Sequence, residues 1–283
     1  MAGLTIAQSA ELTQDELQRG VIETMATESK LLAILPFMNV EGHGYSYNVE
    51  KSLAGVEFRD VNTAYNTEAP ETERRTEFLT ILGGEAIVDS FQVEVHSNVN
   101  DLMAVETALT AKSIGHKYEK TFLNGDSAKK STEFDGLIKR AAALETTVTA
   151  SADIVDDIDV LLDSVQGGAD ALIMNKKTRR ALTKAARDNI EFKVNEFGVQ
   201  VAYFGGVPIV DVEAEILADE YILAVKFGVH EAVAGLQSKS GVMVKPLGEL
   251  GSTPQLKTRI EWFCGLAVFN DNTIAMRKPA EAA

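Results

Sequence analysis

The chain has 283 residues, 45% of them apolar and 24% charged, which excludes collagen-like, low-complexity and wholly disordered readings. A chain of this length buries enough surface to fold without disulfides, and its single cysteine, Cys264, rules out an intrachain disulfide or a CxxC motif. The net charge is −15, with 16 acids against 6 bases in residues 1–100, a balance that argues against gripping nucleic acid through its phosphates.

The longest apolar run, residues 31–38, is interrupted by Pro36 and is too short to span a bilayer. The start, Met1-Ala2-Gly3, lacks a basic region followed by an apolar stretch, so no signal peptide is expected and a reducing cytoplasm fits.

Residues 13–35 read as a helix. Thr13 and Glu16 have capping-box spacing, and Leu17, Val21, Thr24 and Met25 form a narrow stripe that needs another surface to lie against. From Gly42 the period becomes two. Tyr45, Tyr47 and Val49 alternate with Ser46, Asn48 and Glu50 as in a strand with one aromatic face, and Val56 and Phe58 suggest the returning arm. Residues 60–77 hold almost nothing to bury, so they need a partner surface. An extended pattern resumes over 78–95.

Residues 98–124 carry the strongest helix, with Leu102, Val105 and Leu109 followed by Ile114, Tyr118 and Phe122. Asn98 or Asn100 can cap it, and Asn124-Gly125 suits a left-handed stop. Gly115 inside it costs about 1 kcal/mol relative to Ala, which fits either a close-packing site or a bend in a long helix. From residue 151 the pattern is α/β. Ile154, Ile158, Leu161, Leu162 and Val165 share one helical face, 169–174 is a short buried strand, and Asn175 caps a second helix through Asp188 with Leu182 and Ala185 inward. Strands are expected at 197–204, 207–212, 221–226 and 241–246. Residues 257–276 read as two paired strands around Asn270-Asp271-Asn272.

Chemical motifs are scarce. His43, His96, His116 and His230 are scattered, with no HExxH, no phosphate-cradling GxxxxGK[ST] and no GxSxG elbow. Cys264 sits in an apolar strand and reads as a small buried hydrophobe. Asp153, Asp156, Asp157, Asp159 and Asp163 crowd one helix without the spacing of a calcium loop, which reads as a solvated face. The next helix is as basic, with Lys176, Lys177, Arg179, Arg180, Lys184 and Arg187. The two faces are expected to pair within the molecule or between copies, with a nucleic-acid patch as the alternative. No catalytic, cofactor-binding or metal-binding residue is assigned, and the chain is not read as an enzyme.

The order of elements resembles the major capsid proteins of tailed double-stranded DNA bacteriophages, a shell fold shared with encapsulin nanocompartments. The segments that carry the likeness are FLNGD (122–126), FDGLIKRA (134–141), ALIMNKKTRRALTKAARDN (171–189), VAYFGGVPIVDVEA (201–214), AVKFGVHEAVAG (224–235) and TRIEWFCGLAVFNDNTIAMR (258–277). The resemblance implies an α+β fold with an N-terminal arm (1–41) and an extended loop (42–80). It also implies a peripheral domain (81–139 and 252–278) with a spine helix at 98–124, an axial domain (140–251) and a tail (279–283).

It further implies self-assembly through pentamers and hexamers into an icosahedral virion shell, formed in the host cytoplasm. The shell would enclose double-stranded DNA without sequence-specific contacts and without a membrane. By the same likeness the extended loop lies over the neighbouring subunit, with Tyr45, Tyr47, Phe58 and Tyr65 as aromatic anchors, Lys51 and Arg59 as further contacts, and Glu71, Glu73, Arg74, Arg75 and Glu77 either fixing register with the neighbour or forming a solvated loop tip; Gly115 is the candidate bend. No long charged extension precedes residue 12, so either a separate scaffolding protein acts, together with a portal, or this is the mature form; Met1 favours the former. Some family members crosslink through a Lys, an Asn and a nearby Glu. Lys51 and Asn270 or Asn272 fall in the corresponding regions, but no Glu is evident as the base. The competing readings are an encapsulin-like shell around an enzyme cargo and an acidic α/β enzyme with an unrecognised site.

Overall fold

A computed structural model describes residues 4–6, 8, 16–52, 54–65, 69–96, 101–194, 200–249 and 254–280. The chain begins with β1 (Leu4–Thr5), α1 (Glu16–Glu28), α2 (Lys30–Ile34), β2 (Pro36–Val40), β3 (Gly44–Ser52), β4 (Glu71–Phe78) and β5 (Thr80–Asp89). It continues through α3 (Ser90–His96), α4 (Leu102–Asn124), α5 (Leu137–Ala141), β6 (Thr147–Thr149), α6 (Ile154–Ser164), β7 (Ala171–Asn175) and α7 (Lys176–Ala185). The last strands are β8 (Ile190–Val194), β9 (Gln200–Phe204), β10 (Val207–Val212), β11 (Ile222–Val225), β12 (Val233–Glu249), β13 (Gln255–Val268) and β14 (Ile274–Lys278).

These strands form a five-stranded sheet, β1-β2-β12-β13-β5, a seven-stranded sheet, β6-β14-β11-β7-β10-β9-β8, and a two-stranded ribbon, β3-β4. β12 thus joins the sheet of β13 and β5, although it falls within the residues expected to build the axial domain, and β14 joins the other sheet.

Several boundaries move for local reasons. The arm is two helices, because Ser29 leaves helical geometry and its hydroxyl accepts from Leu32 N at 3.2 Å, starting α2 afresh. The capping-box residue Thr13 lies outside the described residues, as do Asn98 and Asn100. Asp101 caps α4 by accepting from Ala104 N at 3.1 Å. Residues 90–96, expected to be extended, are helical. Gly125 ends α4 with φ −55°, not in the left-handed region. Glycine is needed there because an added Cβ would lie 2.2 Å from Phe134 O and 2.5 Å from Thr121 O. In α7 the inward residues are Thr178 and Leu182, with Ala186 buried just past its end, whereas Ala185 is exposed.

The expected hairpin of residues 257–276 does not form. β13 pairs with β12 and β5, and β14 pairs with β11 and β6. Between them a 3-10 turn at Asp271–Thr273 hands the chain from one sheet to the other. Its start is capped by the Asn270 side chain, which accepts from Asn272 N at 2.9 Å.

The main core joins both sheets. Tyr118 of α4 packs on Trp262 of β13 with ring centroids 4.6 Å apart, and Phe37 of β2 lies 5.4 Å from Trp262. The Tyr118 hydroxyl donates to Gly265 O at 3.2 Å, so its burial leaves no orphaned polar group. Cys264 is buried among these side chains, and burial pushes its thiol up, as expected of a structural cysteine. β7 is buried at all five positions because helices and core cover both faces of its sheet.

Two buried carboxylates respond to pH in opposite senses. Asp157, expected in a solvated face, is buried against Arg277 of β14, its Oδ2 accepting from Arg277 Nε at 2.7 Å and from Ser151 N at 2.9 Å. Burial pushes Asp157 up, but the hydrogen bonds from Arg277 and Ser151 outweigh it and hold the carboxyl below the usual range. Its contribution is therefore present above the ordinary aspartate range and is lost as pH falls through the lowered value. Asp157→Ala should cost about 3–5 kcal/mol at neutral pH, measured by urea unfolding, because Arg277 is left buried without its partner.

Glu119 of α4 lies beneath Ser29, and burial, reinforced by Glu213, pushes it up to about 7 against the opposing effects of Ser29 and Lys30. The folded state therefore holds a proton that the unfolded chain releases at the ordinary glutamate value. Between those two values stability falls as pH rises, by up to about 3 kcal/mol. Glu119→Gln should remove this slope, so that thermal unfolding at pH 8 shows a variant more stable than the wild type.

Candidate assembly surfaces

The β3–β4 ribbon follows the period of two. Tyr45, Tyr47 and Val49 stand opposite Glu77, Arg75 and Glu73 and share the inward face, while Ser46, Asn48, Thr72 and Arg74 point outward. The inward face is occupied within the chain itself. Tyr47 packs on Phe269, centroids 4.7 Å apart, and its hydroxyl accepts from Val268 N at 3.2 Å. Burial, with Glu77 beside it, pushes this hydroxyl up to about 12. Tyr45 stacks on Tyr47 and meets Phe269 and His230. Both tyrosines therefore anchor the ribbon to its own subunit.

The inward charges are engaged in the same way. Arg140 of α5 binds both carboxylate oxygens of Glu77 at 2.6 and 2.8 Å. Arg75 binds both oxygens of Asp271 at 2.6 and 2.7 Å and reaches Glu73 at 3.2 Å, and Lys51 meets Glu73 at 3.3 Å. Such bidentate pairs fix orientation as well as contributing energy. They tie the ribbon to α5 and to the turn between β13 and β14. Of the residues considered for crosslinking, Lys51 and Asn270 are engaged, Asn270 Nδ2 donating to Gln166 Oε1 at 3.1 Å, while the Asn272 side chain is exposed.

Residues 54–65 behave differently. Val56, Phe58 and Val61 are 92%, 107% and 87% exposed, and Tyr65 is exposed beneath Arg59, whose guanidinium lies 4.9 Å from the ring centroid. Glu71, at the end of the ribbon, and Arg74, on its outer face, are exposed. Of the residues singled out from sequence, Phe58, Arg59, Tyr65, Glu71 and Arg74 thus remain open to another molecule. Val56 and Val61 belong with them; their position in a polar stretch was the signal.

A second apolar surface was misjudged from sequence. Phe91 and Val95 of α3 and Val105 and Leu109 of α4 are exposed. The buried face of α4 is Ala111, Ile114, Gly115, Tyr118 and Phe122. Val105 and Ile114 are nine residues apart, about two and a half turns, and so face opposite ways, as do Leu109 and Tyr118. α4 runs unbroken through Gly115, which faces α1 and α2; an added Cβ there would lie 3.7 Å from Leu32 Cδ1 and 3.9 Å from Met25.

Among the described residues no group of three His, Cys, Asp or Glu side chains converges as metal ligands, and no helix is long and apolar enough to cross a membrane. Within the chain, acidic α6 and basic α7 make no ion pair with each other among the described residues. Lys176 and Lys177 pair with Glu213 and Asp219, and Arg179 lies 3.9 Å from Asp211, which Lys30 also binds.

The two linked sheets, the long helix packed across β13 and the projecting ribbon with its uncovered apolar segment are the architecture of a shell-building subunit. The sequence pattern of the major capsid protein GP7 family matches residues 13–159, more than half of the chain, and the chain belongs to this family. It is a structural protein of a virion capsid. No curated protein matches it.

The fold is similar to a chain of the holo-SrpI encapsulin complex from Synechococcus elongatus PCC 7942, with a TM-score of 0.69 at 20% identity over 88% of this chain and 86% of that one. It is equally similar to a chain from Mycobacterium phage Cain, with a TM-score of 0.69 at 14% identity over 100% of both chains. The capsid of the native GTA particle matches with a TM-score of 0.68 at 17% identity over 91% of this chain and 90% of that one. At such identities the likenesses establish the fold.

The contacts around Gly115 are ordinary van der Waals distances, so a methyl group fits. Gly115→Ala should stabilise the subunit by about 0.5–1 kcal/mol in urea unfolding, through lower backbone entropy in the unfolded chain. Destabilisation would show that α1 and α4 tolerate no wider spacing.

Proposed function

We propose that copies of this chain assemble as pentamers and hexamers into an icosahedral shell around double-stranded DNA, with residues 54–65 of each copy lying over a neighbour. The observation that carries this reading is the full exposure of Phe58 together with Val56 and Val61. Apolar side chains gathered on one projecting segment gain nothing in water and are the usual mark of a contact surface. The uncovered face of α3 and α4 offers a receiving surface of matching chemistry, and Arg59, Glu71 and Arg74 can set register across it.

In this reading the five-stranded sheet with α4 is the peripheral part, and the seven-stranded sheet with α6 and α7 is the axial part. The chain's acidity suits a wall that encloses DNA without binding particular sequences. A separate scaffolding protein and a portal complete the assembly in the host cytoplasm. An encapsulin-like shell is the second reading, favoured by the likeness to the holo-SrpI chain. Purified particles separate the two, by nuclease-protected DNA or by a protein cargo.

Negative-stain microscopy and light scattering of the purified chain, alone and with a co-expressed scaffold, should show rings, tubes or shells; a strictly monodisperse monomer under both conditions would refute assembly. Phe58→Ser with Val61→Ser should leave subunit stability within about 0.5 kcal/mol, since both positions are exposed, while abolishing shells. Normal particles from that variant would remove the segment from the interface.

A further inference from the structure

Helices α6 and α7 lie side by side on the seven-stranded sheet, sharing a core of Ile158, Leu161, Leu172, Met174 and Leu182. Their inward charges are matched within the chain, Asp157 to Arg277 on α6 and Arg179 near Asp211 on α7. Their outward charges are not. Asp156, Asp159 and Asp163 stand exposed on α6, and Arg180, Lys184 and Arg187 stand exposed on α7 and in the turn that follows it. None of the six makes an ion pair among the described residues. In a chain of net charge −15, three unmatched bases on one short surface are conspicuous.

We infer that the acidic face of α6 in one copy docks against the basic face of α7 in a second copy. This rests on the shell-building role and adds to it a contact distinct from the exposed loop. Asp159 and Asp163 are four residues apart, as are Arg180 and Lys184, so each pair spans about 6 Å along its helix. An antiparallel meeting of the two helices sets Asp163 against Arg180 and Asp159 against Lys184, leaving Asp156 to face Arg187. Val160, 52% exposed beside the acids, adds an apolar contact. Within one copy the six charges are all exposed and none pairs with another of the six. Nucleic acid is the poorer occupant, because a phosphate chain following α7 would run alongside the three carboxylates of α6.

Exposed charge pairs of this kind set register and exclude wrong partners more than they add affinity. Reversing two of them replaces attraction by repulsion at every repeat of the contact. The test uses the full chain under shell-forming conditions with three variants: Arg180→Glu with Lys184→Glu, Asp159→Lys with Asp163→Lys, and all four changes in one chain. The two double variants should fold as the wild type by circular dichroism and thermal unfolding, yet need at least roughly tenfold more protein to form shells. The fourfold variant, which restores complementarity with the signs exchanged, should form shells at close to the wild-type concentration. Double variants that assemble as the wild type does, or a fourfold variant no better than either double, would overturn the contact while leaving the shell role standing. Binding of a double-stranded DNA fragment that depends on Arg180 and Lys184, with assembly unaffected by their reversal, would assign the basic face to nucleic acid and also overturn it. A wild-type chain that never assembles would remove both readings together.

Discussion

The docking of α4 on β13 is the contact from which the rest of the subunit is built. Tyr118 and Trp262 pack with their rings tilted at 38° and Phe37 against them, and the hydrogen bond from Tyr118 to Gly265 O fixes the rotation of the helix about its axis. Once that rotation is set, helical geometry dictates everything around it. Gly115 meets α1 and α2, Glu119 is carried under Ser29, and Val105 and Leu109 are turned to the outside. One buried aromatic cluster thus determines both the interior of the arm and the apolar surface that the subunit offers to others.

The ribbon shows how a single strand period divides residues engaged within the subunit from residues left exposed. Its inward residues are held by Phe269, Arg140 and Asp271, all supplied by distant parts of the chain. This fixed base lets residues 54–65 project without the ribbon folding back over its own subunit. Preorganised in this way, the segment loses less conformational freedom on contact than a free tail would. A rigid base with an apolar tip suits a wall made of many repeated, individually modest contacts. Like-charged copies must nevertheless approach one another, and in the proposed contact the unmatched faces of α6 and α7 would supply local attraction against a net repulsive background.

Much of this was legible in the sequence. The alternation at Tyr45, Tyr47 and Val49, the cap at Asn175 and the buried strand expected at 169–174 all rest on local periods or local hydrogen bonds, and each appears in the structure, the strand as β7 two residues shorter at its start and one longer at its end. Of the polar stretch at 60–77, the exposure of residues 60–65 was legible too, whereas residues 71–77 form β4 against β3. The reading failed where a local signal had two non-local outcomes. The strands around Asn270 look like a hairpin, yet they part because each finds a longer-range partner, β5 and β12 for one and β11 and β6 for the other.

The sequence by itself determined the order and type of most elements, the lack of a recognisable catalytic motif and the family. Those follow from hydrophobic periodicity and residue chemistry, which act over a few positions. Only the tertiary structure decided which sheet each strand joins, which face of α4 is buried and which charges remain unmatched. Asp157 and Arg277 are separated by 120 positions and Arg75 and Asp271 by 196, and no local pattern records such partners. Whether a charge is engaged inside the subunit or left for a neighbour depends on that long-range register, so the assembly surface emerges only when the fold is complete.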